Sequence, residues 1–189
     1  MIQDEGYESR YPDHVLATDE LRRSKPNRAA FTSLPRNPVT VVLDGVTGNY
    51  NLGAIFRLCD AFMVERLIIC RTAVSLRKRK LIQAAAGAQR WVPWREEKDA
   101  AAVVGAAKAA GQWIAVVELS AEGVSPAALR PQFPAVLVLG SEFSGVSSDV
   151  LACADQAVAI PMLGMANSLN VATAGTIVLY QLTRRCAVK

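Results

Sequence analysis

The sequence predicts an α/β fold in which helices cover both faces of a parallel β-sheet. Short runs of apolar and β-branched residues, typical of buried strands, alternate with helix-forming segments from residue 39 to residue 185. Such regular alternation is characteristic of a parallel sheet with a helical layer on each side. Because 51% of the 189 residues are hydrophobic, one domain of this length can bury a substantial core.

The first part of this domain contains two strands, each followed by a helix. Residues 39–46, VTVVLDGV, are apolar and β-branched and contain a turn-forming Asp-Gly pair near their end, as expected for a buried strand. Residues 51–62 carry apolar side chains at helical spacing, and residues 66–70, RLIIC, form the next buried strand. Residues 76–87 are predicted to be a helix that ends at a glycine.

The middle of the domain continues this alternation. The Ala-rich residues 96–111 predict a helix with acidic residues in its first turn and a glycine after its end. Residues 113–119 and 135–140 are short apolar strands. Between them, residues 125–130 are predicted to begin a helix, because a serine N-cap precedes a proline at the first helical position.

The C-terminal part is predicted to contain a short helix over residues 147–155, a strand over 156–162 and a last helix from Ser168 to Arg185. Residues 1–37 differ from the rest, because they are polar and rich in turn formers. We expect a flexible, basic N-terminal arm over residues 1–37 and a single domain over residues 38–189.

Composition narrows the classes of function. No apolar run reaches the roughly 20 residues that span a bilayer, and the N-terminus resembles neither a secretory signal nor a transit peptide, so a soluble cytoplasmic protein is expected. The net charge of +4 is concentrated in residues 21–28 and 71–80. Basic clusters of this kind fit a polyanion such as RNA, although charge runs are more often simply solvated surface.

Metal and thiol chemistry are not expected. The four cysteines form no C-x-x-C pair, and three of them lie in apolar stretches, where a free cysteine packs as a small hydrophobic residue. His14 is the single histidine, which argues against a histidine base or histidine metal ligands. Any catalysis must therefore use Arg, Glu, Asn, Ser and backbone groups.

Polar residues follow three of the predicted strands, where open α/β sheets bind their ligands. After the first strand, Asn51 lies at a helix start and could cap it, and Gly53 allows another segment to approach the helix. Arg57 lies among apolar residues, and it is either an anion-binding group or one half of a surface ion pair.

The other two loops are equally unusual. GSEFSG, residues 140–145, places Glu142 between two glycines and fits no phosphate-binding fingerprint. The last helix begins near Ser168, which could be its N-cap, but this does not explain the polar Asn170 in an otherwise apolar run.

Taken together, NLGAIFR (51–57), LVLGSEFSG (137–145) and the segment 160–182 resemble the three motifs of the SpoU (TrmH) branch of the SPOUT RNA methyltransferases. LIQAAAGAQRWV (81–92) is also similar to a stretch of these enzymes. Each motif alone is weak, but their order and spacing from Val39 to Leu182 make the resemblance specific. The resemblance implies a SPOUT methyltransferase domain over residues 38–189 with a trefoil knot in its C-terminal third. It also implies a homodimer, S-adenosyl-L-methionine (SAM) as methyl donor, and an RNA ribose 2′-hydroxyl as acceptor.

The resemblance also implies roles for individual residues. The positions that match catalytic and architectural motif residues are Asn51, Arg57, Glu142, Ser168 and Asn170. Those that match the SAM pocket are Leu139, Gly140, Ser141, Gly145, Ile160, Met162, Ser168 and Leu169. RNA contacts are expected from Arg57, Arg22, Arg23, Arg77, Lys78, Arg79 and Lys80. No metal is implied.

Arg57 is the residue expected to contribute most to catalysis. An arginine is effectively always protonated, so we expect it to stabilise the developing alkoxide and bind the adjacent phosphate rather than act as a base. Glu142 is expected to orient loops or a neighbouring amide.

The RNA substrate stays open at this stage. A tRNA, with a D-loop guanosine as one candidate, and 23S rRNA are both compatible with the sequence. A catalytically inactive RNA-binding assembly factor is a further alternative, although the presence of every polar motif residue argues against it. A dinucleotide-dependent oxidoreductase is disfavoured, because the glycine fingerprint and its downstream acid are absent from the sequence.

Overall fold

The structure is a computed structural model that describes residues 17, 23, 25–72 and 74–186, with residues 28 and 29 described in their backbone only. The chain divides into two units, residues 1–35 and 36–189. In the first unit, helix α1 (Arg28–Thr32) is capped by Asn27, whose side chain accepts a hydrogen bond from the Ala30 nitrogen at 2.9 Å. Most of residues 1–24, including His14 and Arg22, lie outside the described residues, so the flexible arm stays a prediction.

Six parallel strands form one sheet in the described part of the second unit, with the order β3-β2-β1-β5-β4-β6. Their bounds are β1 Asn37–Asp44, β2 Val64–Cys70, β3 Trp94–Glu97, β4 Trp113–Val117, β5 Ala135–Gly140 and β6 Gln156–Val158. β1 pairs with β2 on one side, with a register irregularity between Asn37 and Thr40, and with β5 on the other. The carboxyl ends of β1, β5, β4 and β6 therefore lie side by side at one edge of the sheet.

Helices cover both faces of this sheet, as the alternation of elements predicts. The helices are α2 Asn49–Ala61, α3 Arg79–Ala85, α4 Ala100–Ala109, α5 Ser148–Leu151 and α6 Val171–Thr183. On one face, buried residues of α2, α3 and α6 pack with Val41 and Leu43 of β1. On the other face, Val104 of α4 and Val150 of α5 pack with Val42. The predicted fold class is confirmed, while the trefoil knot stays a prediction.

The sequence interpretation missed strand β3. Its four residues, WREE, are all exposed and carry no apolar pattern, because β3 lies at the sheet edge and is defined by backbone pairing with β2. The prediction that Glu96 and Glu97 lie in the first turn of the next helix is wrong, because both residues belong to β3. Helix α4 begins at Ala100, and Asp99 caps it by accepting hydrogen bonds from the Ala101 and Ala102 nitrogens.

Several predicted boundaries also differ from the structure. The predicted helix at residues 125–130 is only a single 3₁₀ turn, Pro126–Ala128. β6 ends at Val158, so residues 160–162 belong to the following loop. α6 is shorter than predicted, because residues 168–170 precede it and Arg184 is its C-cap.

The cysteines pack as predicted from their apolar surroundings. Cys59 and Cys70 are fully buried, and all four thiols are free. Burial, together with the nearby charge of Asp44, raises the pKa of Cys70 to about 11, and burial raises the pKa of Cys186 to about 11. Both thiols therefore stay protonated at neutral pH, which removes the thiolate needed for nucleophilic or metal-binding chemistry.

Gly53 allows α2 and α3 to pack closely, as its position in the first motif suggests. A Cβ atom at Gly53 would overlap Ala84 and lie 2.8 Å from the Ala85 nitrogen. We expect Gly53→Ala to lower the free energy of unfolding by about 1–3 kcal/mol, because two backbones must separate. Gly105→Ala, inside α4 with no atom within 4 Å of the new Cβ, should instead raise it by about 0.5–1 kcal/mol. Urea unfolding of both variants measures the difference, and equal effects would contradict this packing.

A search of the described residues finds no helix that could span a lipid bilayer.

Candidate functional site

A cleft of about 440 Å³ opens at the carboxyl edge of the sheet. Its walls come from the loops that follow β4, β5 and β6 and from the start of α6. This volume falls within the range of small-molecule sites, about 300–1,000 Å³. Every residue that the resemblance assigns to a SAM pocket lines the cleft, namely Leu139, Gly140, Ser141, Gly145, Ile160, Met162, Ser168 and Leu169.

Two glycines allow the loop after β5 to fold back on itself. Ser141 and Gly145 exchange backbone hydrogen bonds, N to O, of 3.0 and 2.9 Å, which close residues 141–145 into a tight turn. A Cβ at Gly140 would overlap the backbone of Gly145 and Val146, so only glycine fits there. Gly145 has a φ of +65°, the left-handed region that favours glycine. This turn holds Glu142 outside the sheet, next to the start of α2.

Asn51, Glu142 and Asn170 form one hydrogen-bonded network. The Asn51 Nδ2 donates to Glu142 Oε1, and the Asn170 Nδ2 donates to Asn51 Oδ1 at 2.9 Å. The Thr47 backbone nitrogen donates to the other Glu142 oxygen at 3.1 Å. Three loops that are distant in sequence are therefore joined by the polar residues of all three motifs.

The network explains why Asn170 interrupts an apolar segment. Asn170, and not Ser168, is the N-cap of α6, and its Oδ1 accepts hydrogen bonds from the Ala172 and Thr173 nitrogens at 3.0 and 3.4 Å. Its amide nitrogen remains free to donate to Asn51. Ser168 is exposed and precedes the helix at the cleft wall, so the prediction that Ser168 begins the helix is wrong.

Asn51 does not cap its helix, although its position at the helix start suggested this. α2 begins two residues earlier, with Gly48 as its N-cap and no side-chain cap. The Asn51 side chain is consequently available for Glu142 and Asn170. The hydrogen bonds therefore all donate in the same direction along one chain. The α6 N-terminus donates to Asn170, Asn170 donates to Asn51, and Asn51 donates to the Glu142 carboxylate.

Asp44, at the end of β1, is a buried carboxylate that stabilises the carboxyl ends of the strands. It is 0% exposed, and the sequence analysis treats it only as part of a turn. Its Oδ1 accepts a hydrogen bond from Arg71 Nε at 3.0 Å and its Oδ2 one from the Ser147 nitrogen at 2.9 Å. Asp44 thereby connects the ends of β1 and β2 to the loop that carries Glu142.

Arg57 is separate from this cleft within its own chain. It is exposed on α2 and is not among the residues that line the cleft. It has no hydrogen-bond or ion-pair partner within the described part of the chain, so its interpretation as half of a surface ion pair is not supported there. Its guanidinium is available to an external anion.

Glu118 is a cleft residue that the sequence interpretation missed. It directly follows β4, and its carboxylate accepts a hydrogen bond from the Val146 nitrogen at 2.8 Å. The sequence predicts a strand over residues 113–119, which includes Glu118, whereas β4 ends at Val117. Glu118 also belongs to none of the three motifs, so nothing in the sequence analysis singles it out.

The basic residues predicted to contact RNA lie on the surface. Arg77, Lys78, Arg79 and Lys80 are all exposed, in the loop after β2 and the first turn of α3. Arg23 is also exposed, in the other unit, and Arg22 lies outside the described residues. The described residues contain no group of three or more His, Cys, Asp or Glu side chains that could hold a metal ion.

Comparison with known proteins agrees with this arrangement. The chain is 32% identical over 147 residues to the tRNA (guanosine(18)-2′-O)-methyltransferase of Escherichia coli (strain K12). The aligned residues make up 78% of this chain and 63% of that protein, so the chain spans less than two thirds of that relative. The structure of the A. aeolicus TrmH/SpoU tRNA modifying enzyme matches with a TM-score of 0.75 and 31% identity, over 88% of this chain and 82% of that one.

A second solved structure bears on the cleft. The AdoMet-bound rRNA methyltransferase from Sinorhizobium meliloti matches with a TM-score of 0.73 and 27% identity, over 87% of this chain and 62% of that one. The family model of the SpoU rRNA methylases matches residues 38–180, which include the first two motifs, the third motif up to residue 180 and every cleft residue. The chain therefore belongs to the SpoU rRNA Methylase family.

Proposed function

We propose that this protein transfers a methyl group from SAM to a ribose 2′-hydroxyl of RNA. The observation that carries the proposal is the meeting of three motifs at one cleft, where Asn51, Glu142 and Asn170 form a network beside the predicted pocket residues. Family membership and the AdoMet-bound relative support it.

The residues of the cleft fit SAM. Leu139, Ile160, Met162 and Leu169 supply an apolar wall for the flat adenine ring, and the tight turn after β5 exposes backbone groups for hydrogen bonds. Glu118 and Glu142 place negative charge at the cleft, which suits a cationic ligand. When bound, SAM supplies an electrophilic methyl group on a sulfonium.

Arg57 is proposed to act on the RNA. The ribose hydroxyl is a poor nucleophile until it loses its proton, and a guanidinium stabilises the negative charge that develops on its oxygen. The paired N–H donors of the same guanidinium bind the neighbouring phosphate, and this contact fixes the hydroxyl in place. The exposure of Arg57 leaves it accessible to a polyanion.

Glu142 is proposed to orient the network rather than to remove the proton. Each of its oxygens already accepts a hydrogen bond, from Thr47 on one side and Asn51 on the other. Both oxygens are thus engaged in joining the loop after β1 to the loop after β5. Its role is then to hold Asn51, and through it Asn170 and the start of α6.

RNA binding is proposed to use the exposed cluster of Arg77, Lys78, Arg79 and Lys80 together with Arg57, with Arg22 and Arg23 of the N-terminal unit contributing phosphate contacts. The pI of about 9.0 agrees with a polyanionic partner. A tRNA or rRNA substrate would place the protein in the cytoplasm.

A homodimer is also proposed. The most exposed large apolar side chains of the described residues include Phe143, Leu163 and Met165, at 91%, 99% and 100% exposure. They lie on the loops that also form the cleft, where a second copy of the chain would remove them from water. A dimer could also bring the partner's Arg57 toward the cleft, which the Arg57 of the same chain does not line.

We favour tRNA as the substrate, with guanosine 18 of the D-loop as the first candidate, because the E. coli relative carries that specificity in its name. 23S rRNA is the second candidate, supported by the rRNA methyltransferase among the similar structures. An inactive RNA-binding assembly factor is the third. The intact polar network argues against it, since binding alone would not require all of these residues.

Methyl transfer from labelled SAM to unmodified tRNA and 23S rRNA transcripts tests the proposal. We expect label on a ribose 2′-oxygen of one transcript, mapped by digestion to nucleosides. A control tRNA in which guanosine 18 is replaced should lose the label if the first candidate is right. Tight SAM binding without transfer to either RNA would favour the assembly factor, and absence of SAM binding would overturn the proposed function.

A further inference from the structure

Glu118 presents a second carboxylate to the cleft, and it is not part of the Glu142 network. It directly follows β4, whereas Asn51 and Glu142 follow β1 and β5. Its backbone nitrogen donates to the Val158 carbonyl at 3.2 Å, which fixes this residue against the end of β6. The cleft is therefore lined by two carboxylates, those of Glu118 and Glu142, together with apolar side chains.

The Glu118 carboxylate is held in a single orientation. One oxygen accepts a hydrogen bond from the Val146 nitrogen at 2.8 Å, and the other accepts one from the Leu119 nitrogen at 3.0 Å. A Cβ at Gly145 would overlap Oε2, so the glycine of the second motif makes room for this carboxylate. An oriented acceptor of this kind is suited to recognising a ligand.

Support of the loop alone does not require a charged group. A carboxylate has about four acceptor positions, and the two backbone donors use only two of them. Within the described residues, Glu118 has no ion-pair partner to compensate its charge. A half-buried carboxylate with unused acceptor positions facing a cleft is therefore expected to receive hydrogen bonds from what binds there.

We infer that Glu118 recognises SAM by accepting hydrogen bonds from its ribose hydroxyls. This inference rests on the proposed function and adds a specificity-determining residue to it. The methyl-bearing sulfonium must face the RNA. The ribose of SAM is bonded directly to the adenine ring, so it lies beside the apolar wall proposed for that ring, in the cleft that Glu118 also lines. A carboxylate that binds a ribose hydroxyl is a general solution for nucleotide ligands at strand ends.

Calorimetric titration with two ligands tests the inference. The ligands are S-adenosylhomocysteine and its 2′,3′-dideoxyribose analogue, and the proteins are the wild type and Glu118→Gln. We expect the wild type to bind the dideoxy analogue about tenfold or more weaker than the parent compound. The affinity of Glu118→Gln for the parent compound should fall by a similar factor, while its affinity for the analogue should change little. The variant should therefore bind the two ligands about equally.

The controls separate recognition from a structural role. Glu122→Gln removes the same charge from an exposed position in the same connection and should behave as the wild type. Glu118→Asp retains the negative charge on a side chain that is one methylene group shorter. It should therefore also bind the parent compound and the dideoxy analogue about equally. Thermal unfolding verifies that each variant is folded.

The outcomes distinguish the two proposals. If Glu118→Gln weakens both ligands by the same factor, or still discriminates between them, Glu118 only supports the loop and the inference is wrong. If the wild type binds neither S-adenosylhomocysteine nor SAM, the proposed function itself fails, and the inference fails with it.

Discussion

Replacing Arg57 by alanine is expected to lower the rate of methyl transfer by about 100- to 1,000-fold, which is the usual cost of removing one donor to a developing oxyanion. The Kd for SAM should stay unchanged, because Arg57 is proposed to contact the RNA rather than the cofactor and does not line the cleft of its own chain. Loss of rate with intact cofactor binding is the expected result, measured by single-turnover transfer and by calorimetry.

Two further variants make the Arg57 prediction specific. Arg57→Lys retains the charge but loses the planar fork, so most of the rate should still be lost. Arg66→Ala removes an exposed arginine from the amino-terminal half of β2, which lies away from the carboxyl edge of the sheet, and should leave transfer unchanged. Wild-type turnover by Arg57→Lys would show that charge alone is sufficient.

Asn51→Asp is expected to lower methyl transfer by about tenfold to 100-fold and to reduce the melting temperature. The substitution has the same shape, but it removes the donor to Glu142 and places a second carboxylate against the first. Asn27→Asp is a matched control, since aspartate accepts the Ala30 hydrogen bond at the cap of α1 as well as asparagine does.

Combining Asn51→Asp with Glu142→Gln should restore much of the lost stability. The introduced amide can donate to the introduced carboxylate while its oxygen accepts from Thr47, and Asn170 can still donate as before. Recovery of transfer as well as stability would agree with an orienting role for Glu142. Recovery of stability without transfer would show that the carboxylate itself takes part in the reaction.

The sequence predicted most of the architecture, because strands buried on both faces and amphipathic helices leave local patterns. Each strand from β1 to β6 except β3 was found in this way, and so was α2 with its core residues Leu52 and Phe56. β3 could not be predicted, since WREE has no apolar face and forms a strand only because its backbone pairs with β2.

The candidate site divides in a similar way. The eight residues that the motif resemblance assigns to a SAM pocket all line one cleft, and the polar residues Asn51, Glu142 and Asn170 that it names form one network. It did not indicate that Asn170 caps α6, that Asn51 leaves its own helix uncapped, or that Glu118 enters the cleft.

The sequence by itself determined which polar residues this protein possesses and which strand each one follows, because these properties are local to a few neighbouring residues. Only the tertiary structure decided how those residues meet. Asn51 pairs with Glu142 across 91 residues and with Asn170 across 119, and Glu118 reaches Val146 across 28. Such pairings depend on the strand order β3-β2-β1-β5-β4-β6, which places distant loops at one edge and which no local pattern contains.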